Sequence, residues 1–254
     1  MALLTPVAPR DPAQAHRAAT ALELFTDLCY VVGIAQAVLA LEHEIAEGHG
    51  GHGLVYFAIA FFGVWWAWLN FAWFSSAYDP DDVTHRVLTL LQILGSLVLA
   101  AGIPRFFDED FTLGIVGYVI MRVGLVLMWL RVAAGHPERR TTALRYVVGL
   151  VAVQGVWVVA LLVTGGELAL WQFLVIAALE LAVPAFAETA GATPWRPHHI
   201  AERYGLFFII VLGETILAAT VAIQEGLDDT DSPPATLWLV VIGGVLIVFA
   251  AWWL

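Results

Sequence analysis

The sequence predicts an all-helical fold, a polytopic bundle of transmembrane helices. Three observations support this class. The chain has 254 residues, of which 61% are hydrophobic, and its mean hydropathy is +0.83. Only 13% of the residues are charged, against about 25% in ordinary soluble domains. The apolar runs are about twenty residues long, as a helix crossing roughly 30 Å of hydrocarbon requires, and they lack the alternation of barrel strands.

The apolar runs define eight predicted spans. Residues 1–19 contain no such run and are predicted to form a cytoplasmic tail, and residues 20–254 form the predicted transmembrane domain. Glycine and proline mark the gaps, as at Pro233-Pro234. The spans are expected at about residues 20–41, 54–77, 85–104, 111–134, 142–164, 168–188, 200–222 and 235–254. Because the chain stops within an apolar run, we expect it to be a fragment of a longer chain with more spans.

The arginines predict the orientation of the bundle. The sequence has no lysine and eleven arginines, and eight spans place nine of the arginines on the side of the N-terminus and only Arg105 on the other side. The nine are Arg10, Arg17, Arg86, Arg131, Arg139, Arg140, Arg145, Arg196 and Arg203. Cytoplasmic loops carry the excess of positive charge, so the N-terminus is predicted to be cytoplasmic. No basic run indicates nucleic-acid binding.

Acidic residues inside the spans are the first candidates for function, because a carboxylate in the bilayer is costly. Glu214 follows Arg203 by eleven residues, roughly 16 Å of helix, and is predicted near the bilayer midplane. Glu23 and Asp27 are four residues apart and share one face of the first span. A solvated carboxylate at a helix start is an equal alternative for Glu23. It suits Asp27 less well, because Asp27 lies deeper.

Arg122 lies about halfway through the fourth span. A guanidinium keeps its charge, so we expect it to face a carboxylate inside the bundle. The candidate partners are Glu214, Asp27 and Glu180 of the sixth span. An ion pair that only fixes helix packing is an equal alternative. Because the deep acids outnumber this arginine, at least one acid is expected to be protonated, to bind a cation or to face water, as proton- or cation-linked transport requires.

A polar group opens the seventh span. His198 and Glu202 are four residues apart, a spacing that could place two metal ligands on one helix face, and His199 is a further weak candidate. The order differs from the HExxH arrangement of zinc peptidases, and no further ligand is visible. We favour a polar cap in which Glu202 pairs with Arg203. No catalytic residue, metal or cofactor is predicted.

Two segments resemble a known family. Residues 23–36, ELFTDLCYVVGIAQ, resemble the ELFFDLVFVFAITQ opening of the bacterial low temperature requirement protein A (LtrA) family. Residues 199–214, HIAERYGLFFIIVLGE, are similar to its HxxERFGLFxIIVLGE segment. The chain departs from the family at Thr26, where an aromatic residue is usual, and at Thr215, where serine is common.

The resemblance implies a multi-pass protein of the bacterial inner membrane, in a family of typically longer chains named for growth at low temperature, hence a link to cold adaptation. The motif acids correspond to Glu23, Asp27, Glu202 and Glu214, to which the family assigns no role.

The leading hypothesis is therefore a proton- or cation-linked transporter or channel for an unknown solute. Its polar core is predicted to contain Glu23, Asp27, Arg122, Glu180, Glu202, Arg203 and Glu214, with Glu202 and Arg203 as an inner gate pair. A membrane-embedded enzyme acting on a lipid or lipid-linked substrate through His198, His199 and Glu202 is the less favoured alternative. A third is a non-catalytic scaffold or sensor. The sequence defines neither the substrate nor the oligomeric state.

Overall fold

The structure is a computed structural model that describes residues 2, 3, 5, 7, 19–78, 80–228 and 234–253. It confirms the all-helical fold, since these residues form eight α-helices and no β-strand. The helices are α1 (Ala21–Ala46), α2 (Gly50–Ala77), α3 (Val83–Phe106), α4 (Thr112–Gly135), α5 (Arg140–Thr164), α6 (Leu170–Glu188), α7 (Pro197–Asp228) and α8 (Pro234–Trp253). A 3-10 turn, Pro137–Arg139, precedes α5.

Seven of these helices, α1 to α7, are long and apolar enough to cross a membrane. In α8 the described apolar stretch, Val241–Trp253, is shorter. The eight predicted helical segments are thus present, and seven of them qualify as spans. The cytoplasmic location of the N-terminus stays a prediction. Most of the predicted tail, with Arg10 and Arg17, lies outside the described residues.

The first two helices are longer than the apolar runs that predicted them. The predicted gap of residues 42–53 shrinks to Glu47–His49, because α1 continues to Ala46 and α2 begins at Gly50. The extra turn of α1 is polar, and His43 pairs with Glu47 one turn later at 3.3 Å. Hydropathy marks where a helix becomes apolar, whereas backbone hydrogen bonding continues beyond that point.

The chain divides into two compact units, Met1–Arg203 and Tyr204–Leu254. In the first unit α1 packs on α2 and α3, α3 packs on α4, α4 on α5, and α5 on α6. The α3–α4 contact is backbone to backbone: a Cβ on Gly95 would lie 2.7 Å from the Gly117 carbonyl oxygen. Small residues of this kind let membrane helices approach closely.

The second unit contains α7 from Tyr204 onward and α8. The two helices meet at Gly244 of α8, where an added Cβ would lie 3.4 Å from the Cβ of Ala219. This is ordinary van der Waals contact, so the glycine here marks packing without a close backbone approach.

Candidate functional site

The best-defined group of charges in the first unit joins α1 to the start of α7. Arg203 donates from Nη2 to Asp27 Oδ1 at 2.5 Å and from Nε to Asp27 Oδ2 at 3.1 Å. Both side chains are fully buried. Trp68 of α2 donates its indole N–H to the same Asp27 Oδ1 at 2.6 Å. The two-pronged contact fits the planar guanidinium and supports an ionised carboxylate.

Glu23 and His199 complete this group, one helical turn away. Arg203 Nη1 lies 3.4 Å from Glu23 Oε1, and His199 Nε2 lies 3.5 Å from the same oxygen. The other carboxylate oxygen, Oε2, accepts bonds from the backbone N–H and hydroxyl of Thr20, closing a capping box at the start of α1. Glu23 is thus both a helix cap and a buried ion partner. We call Glu23, Asp27, His199 and Arg203 the α1–α7 group.

A second ion pair joins α4 to α6. Arg122 Nη2 lies 3.1 Å from Glu180 Oε2, and the two side chains are 3% and 2% exposed. Two indole N–H groups also point at this carboxylate: Trp66 donates to Oε2 at 3.1 Å, and Trp157 donates to Oε1 at 3.2 Å. Glu180 therefore accepts three N–H donors from three different helices.

The surroundings of Arg122 and Glu180 are mostly aromatic. Arg122 donates to the Tyr118 hydroxyl at 2.5 Å, and its guanidinium carbon lies 4.5 Å from the Tyr118 ring centroid. Pro184 lies four residues after Glu180 inside α6. Because proline has no N–H, it leaves the Glu180 carbonyl without its usual helical bond, so the backbone of α6 is weakened beside the carboxylate.

Tyr30 lies between the two sets of charges. Its side chain is 1% exposed and interacts electrostatically with Arg122, Asp27 and Arg203. No residue in the described ranges forms a hydrogen bond with its hydroxyl. A buried hydroxyl without a partner costs free energy, so Tyr30 is an unsatisfied polar group at the junction of the two charged sets.

The structure assigns partners to the predicted arginines. Of the three candidate partners of Arg122, Glu180 forms the ion pair. Arg203, predicted to pair with Glu202 as an inner gate, instead contacts Glu23 and Asp27. Consecutive residues point about 100° apart around a helix, so Arg203 faces α1 while Glu202 is half-buried on another side of α7.

The two weak metal candidates diverge. His198 is exposed, whereas His199 is buried beside Glu23. Within the part of the chain that the structure describes, no set of three metal-ligating side chains converges. Glu214 belongs to the second unit, on α7, and its side chain is exposed. Its predicted role stays a prediction.

The sequence did not identify the aromatic members of the site. The core residues that the sequence predicts do not include Trp66, Trp68, Trp157, Tyr118 or Tyr30. Buried tryptophan and tyrosine usually find a hydrogen-bond partner. A span that faces a buried charge needs hydrogen-bond donors. A tryptophan or tyrosine within such a span is therefore the signal that could have indicated these residues.

A fourth buried carboxylate, Asp82, lies outside the spans, at the start of α3. Asp82 Oδ1 caps the His85 N–H at 2.7 Å, and Oδ2 accepts from Thr5 N at 2.8 Å and Arg131 Nη2 at 2.5 Å. Burial acts to raise the pKa of Asp82, but the bonds from Thr5, Arg131 and His85 outweigh it and lower the pKa to about 2. This contact also fixes Thr5, in the predicted tail, against α3.

The fold and these contacts define a multi-span helical membrane protein with ion pairs buried between its helices. The chain belongs to the bacterial low temperature requirement A protein (LtrA) family, whose sequence model matches residues 18–254. It is 26% identical over 245 residues to an uncharacterized protein of Rhizobium meliloti (strain 1021). That match covers 91% of this chain and 56% of the relative, so the chain spans little more than half of the relative's length. No solved structure matches the chain.

Proposed function

We propose that this protein conducts protons, or moves a cation or small solute together with protons, across a bacterial membrane. The observation that carries the proposal is His199 Nε2 at 3.5 Å from Glu23 Oε1, inside a buried group that also holds an arginine and a second acid. Imidazole is the side chain that ordinarily titrates near neutral pH. One proton on His199 changes the formal charge of the four side chains from −1 to zero.

Proton binding at His199 would act on the contact between α1 and the start of α7. Glu23 Oε1 faces both Arg203 Nη1 and His199 Nε2, at 3.4 and 3.5 Å. A protonated His199 competes with Arg203 for this oxygen, whereas a neutral His199 leaves it to Arg203. Asp27 remains hydrogen-bonded to Arg203 in both states. The group thus supplies two arrangements whose populations a proton can shift, the minimum that coupled transport requires.

Tyr30 and the Arg122–Glu180 pair extend the polar region in the first unit. The Tyr30 hydroxyl interacts electrostatically with the α1–α7 group and with Arg122, and we assign it the role of a polar step between them. In the second unit, Glu214 supplies a further protonatable group within the apolar stretch of α7. Charged groups at such positions commonly mark ion or proton pathways.

Proton flux into liposomes tests the proposal. The protein is reconstituted around an internal pH-sensitive dye, a pH gradient is imposed with valinomycin and potassium present, and the initial rate of internal pH change is measured. We expect flux above that of protein-free liposomes, and at least a tenfold reduction in His199→Gln, since one general acid–base group typically contributes about 10²–10⁴ in rate. Glu214→Gln, measured in the same assay, tests whether the second unit takes part in proton flux.

His198→Gln is the matched control, because His198 is the exposed neighbour of the buried His199. It removes the same chemical group from the same helix and should leave the flux unchanged. Equal flux in the wild type and His199→Gln, with both proteins folded, would contradict the proposal. So would the absence of protein-dependent flux with sodium, potassium and protons all tested.

A further inference from the structure

A cavity of about 220 Å³ lies in the first unit where α2, α4, α5 and α6 meet the connection between α6 and α7. It is separate from both charged groups. Four aromatic residues and one carboxylate dominate its lining. The lining residues are Trp73, Trp129, Tyr146, Pro184, Ala185, Glu188, Thr193 and Trp195.

Two of the aromatic walls, Trp129 and Tyr146, are buried and pack against each other. Trp129 and Tyr146 stack with ring centroids 4.1 Å apart and planes 6° apart, and each is only 5% exposed. Tryptophan and tyrosine at helix ends usually belong to the belt that faces the lipid headgroups. These two are turned inward and cannot act as such a belt. Trp195, 49% exposed, lies at the open side.

The carboxylate of Glu188 is fixed by neutral donors. Oε1 accepts from the Tyr146 hydroxyl at 2.8 Å and the Thr193 hydroxyl at 2.5 Å, and Oε2 accepts from the Thr193 N–H at 2.7 Å. A carboxylate has about four acceptor positions, so one remains on Oε2. No ion pair joins Glu188 to an arginine or histidine in the ranges that the structure describes. The cavity wall therefore carries an oriented carboxylate that these cations do not pair.

We propose that this cavity binds an alkylated ammonium cation, such as the trimethylammonium group of choline. Aromatic faces attract such cations through their quadrupoles, and tryptophan does so most strongly. The carboxylate adds charge complementarity. The volume lies below the roughly 300–1,000 Å³ of pockets for drug-sized ligands, which suits a single headgroup. Ordered water would need two to four polar partners per molecule, and mainly aromatic walls offer few.

The position of the cavity leaves two sources for this cation. Glu188 is the last residue of α6, and Trp195 follows in the connecting segment, so the cavity opens near a helix end. A free solute and the headgroup of a membrane lipid both reach this depth. The ammonium chemistry is the same in the two cases.

Calorimetric titration of the purified full chain in neutral detergent tests the site. Choline and tetramethylammonium are expected to bind saturably, and 3,3-dimethylbutanol, the uncharged analogue of choline, to bind at least tenfold more weakly. Trp195→Leu should weaken choline binding about tenfold through the loss of one cation–π contact. Glu188→Gln should weaken it by a similar or larger factor.

Trp171→Leu is the control, because Trp171 is also a largely exposed tryptophan of the first unit but lies outside the cavity. It should bind choline as the wild type does. Trp195→Leu removes an exposed ring, so it tests the site even if Glu188→Gln unfolds. Equal binding of choline and its uncharged analogue, or equal losses in Trp195→Leu and Trp171→Leu, would overturn the proposal, as would no binding of either cation.

Nanodiscs distinguish the two sources. If a lipid headgroup is the ligand, phosphatidylcholine discs should suppress the choline binding that is seen in phosphatidylglycerol discs. If a free solute is the ligand, the two kinds of disc should bind choline equally. The proposal does not depend on proton-linked transport, since binding is measured without flux and none of the variants touches His199 or Glu23.

Discussion

The Arg122–Glu180 pair and the α1–α7 group each hold an arginine buried among membrane helices. They differ in the groups that contact and neutralise it. Glu180 meets one arginine and two indole N–H groups, so its two oxygens are held by three donors. The α1–α7 group has two acids, one arginine and a histidine in contact. The first set is balanced by fixed charges, whereas under the proposed function the charge of the second changes when His199 binds a proton.

On this difference we assign a packing role to the Arg122–Glu180 pair and the proposed proton-binding role to the α1–α7 group. A balanced ion pair whose carboxylate accepts three N–H donors fixes the mutual positions of α4 and α6, which is the packing role left open for Arg122 by the sequence. A group whose charge changes by one unit on protonation at His199 has two states. We therefore expect variants of the pair to affect stability, and variants of the α1–α7 group to affect pH response.

The largest loss of stability is expected for Glu180→Gln. The amide leaves Arg122 without its counter-charge and turns an NH₂ donor toward N–H donors. Removing one partner of a buried ion pair typically costs about 3–5 kcal/mol. The free energy of unfolding, measured by chemical denaturation in neutral detergent, should fall by that amount.

The double variant Arg122→Met/Glu180→Gln sharpens this test. Removing both charges eliminates the unpaired guanidinium, so most of the lost stability should return. If the double variant is as unstable as Glu180→Gln alone, the charge of Arg122 is not the cause and the pair is not a balanced unit.

An intermediate loss of stability is expected for Asp82→Asn. Because Asp82 lies outside the spans, this variant is a reference for the two charged sets inside them. The pKa of Asp82 is about 2, against an ordinary 3.8, a difference equivalent to about 2 kcal/mol. Because the folded-state pKa is the lower one, this contribution is complete above pH 3.8 and is lost as the pH falls through 2. At pH 7 the variant should be less stable by about this amount.

The pH dependence is the decisive part of that measurement. The difference in unfolding free energy between the wild type and Asp82→Asn should narrow between pH 4 and pH 2, and it should be constant between pH 5 and pH 8. Any pH response of the wild type in the neutral range must then come from elsewhere, such as the α1–α7 group. A difference that stays constant down to pH 2 would show that Asp82 is not held ionised by Thr5 and Arg131.

Hydropathy was sufficient to predict the helices, because a span must be apolar over its whole length and few other structures are. It was also sufficient to indicate Asp27, Arg122 and Glu180, since a charge within an apolar run is conspicuous. Which charges meet was not predictable in this way. Arg203 was interpreted as part of a polar helix start, yet its long side chain lies fully buried against α1. Which charged side chains pair depends on how the helices are rotated and packed, and the composition of a span carries no information about either.

The aromatic donors show the same limit. Three tryptophans donate to buried carboxylates, although in sequence they are indistinguishable from exposed tryptophans such as Trp171. His198 and His199 were considered together as metal candidates, but adjacent residues on a helix point in different directions. Applying the 100° rotation per residue would have separated the two histidines once α7 was predicted to be helical.

The smallest effect on stability is expected for Glu23→Gln, the direct counterpart of Glu180→Gln. Glutamine also serves at this position of a capping box, and Asp27 still pairs with Arg203, so the unfolding free energy should change by only about 1 kcal/mol. The pH response should change much more, because Glu23 Oε1 is the atom that faces both His199 and Arg203. In the liposome assay we expect the dependence of proton flux on pH to differ from that of the wild type. A loss of stability as large as that of Glu180→Gln, with an unchanged pH profile, would show that the two acids have the same packing role.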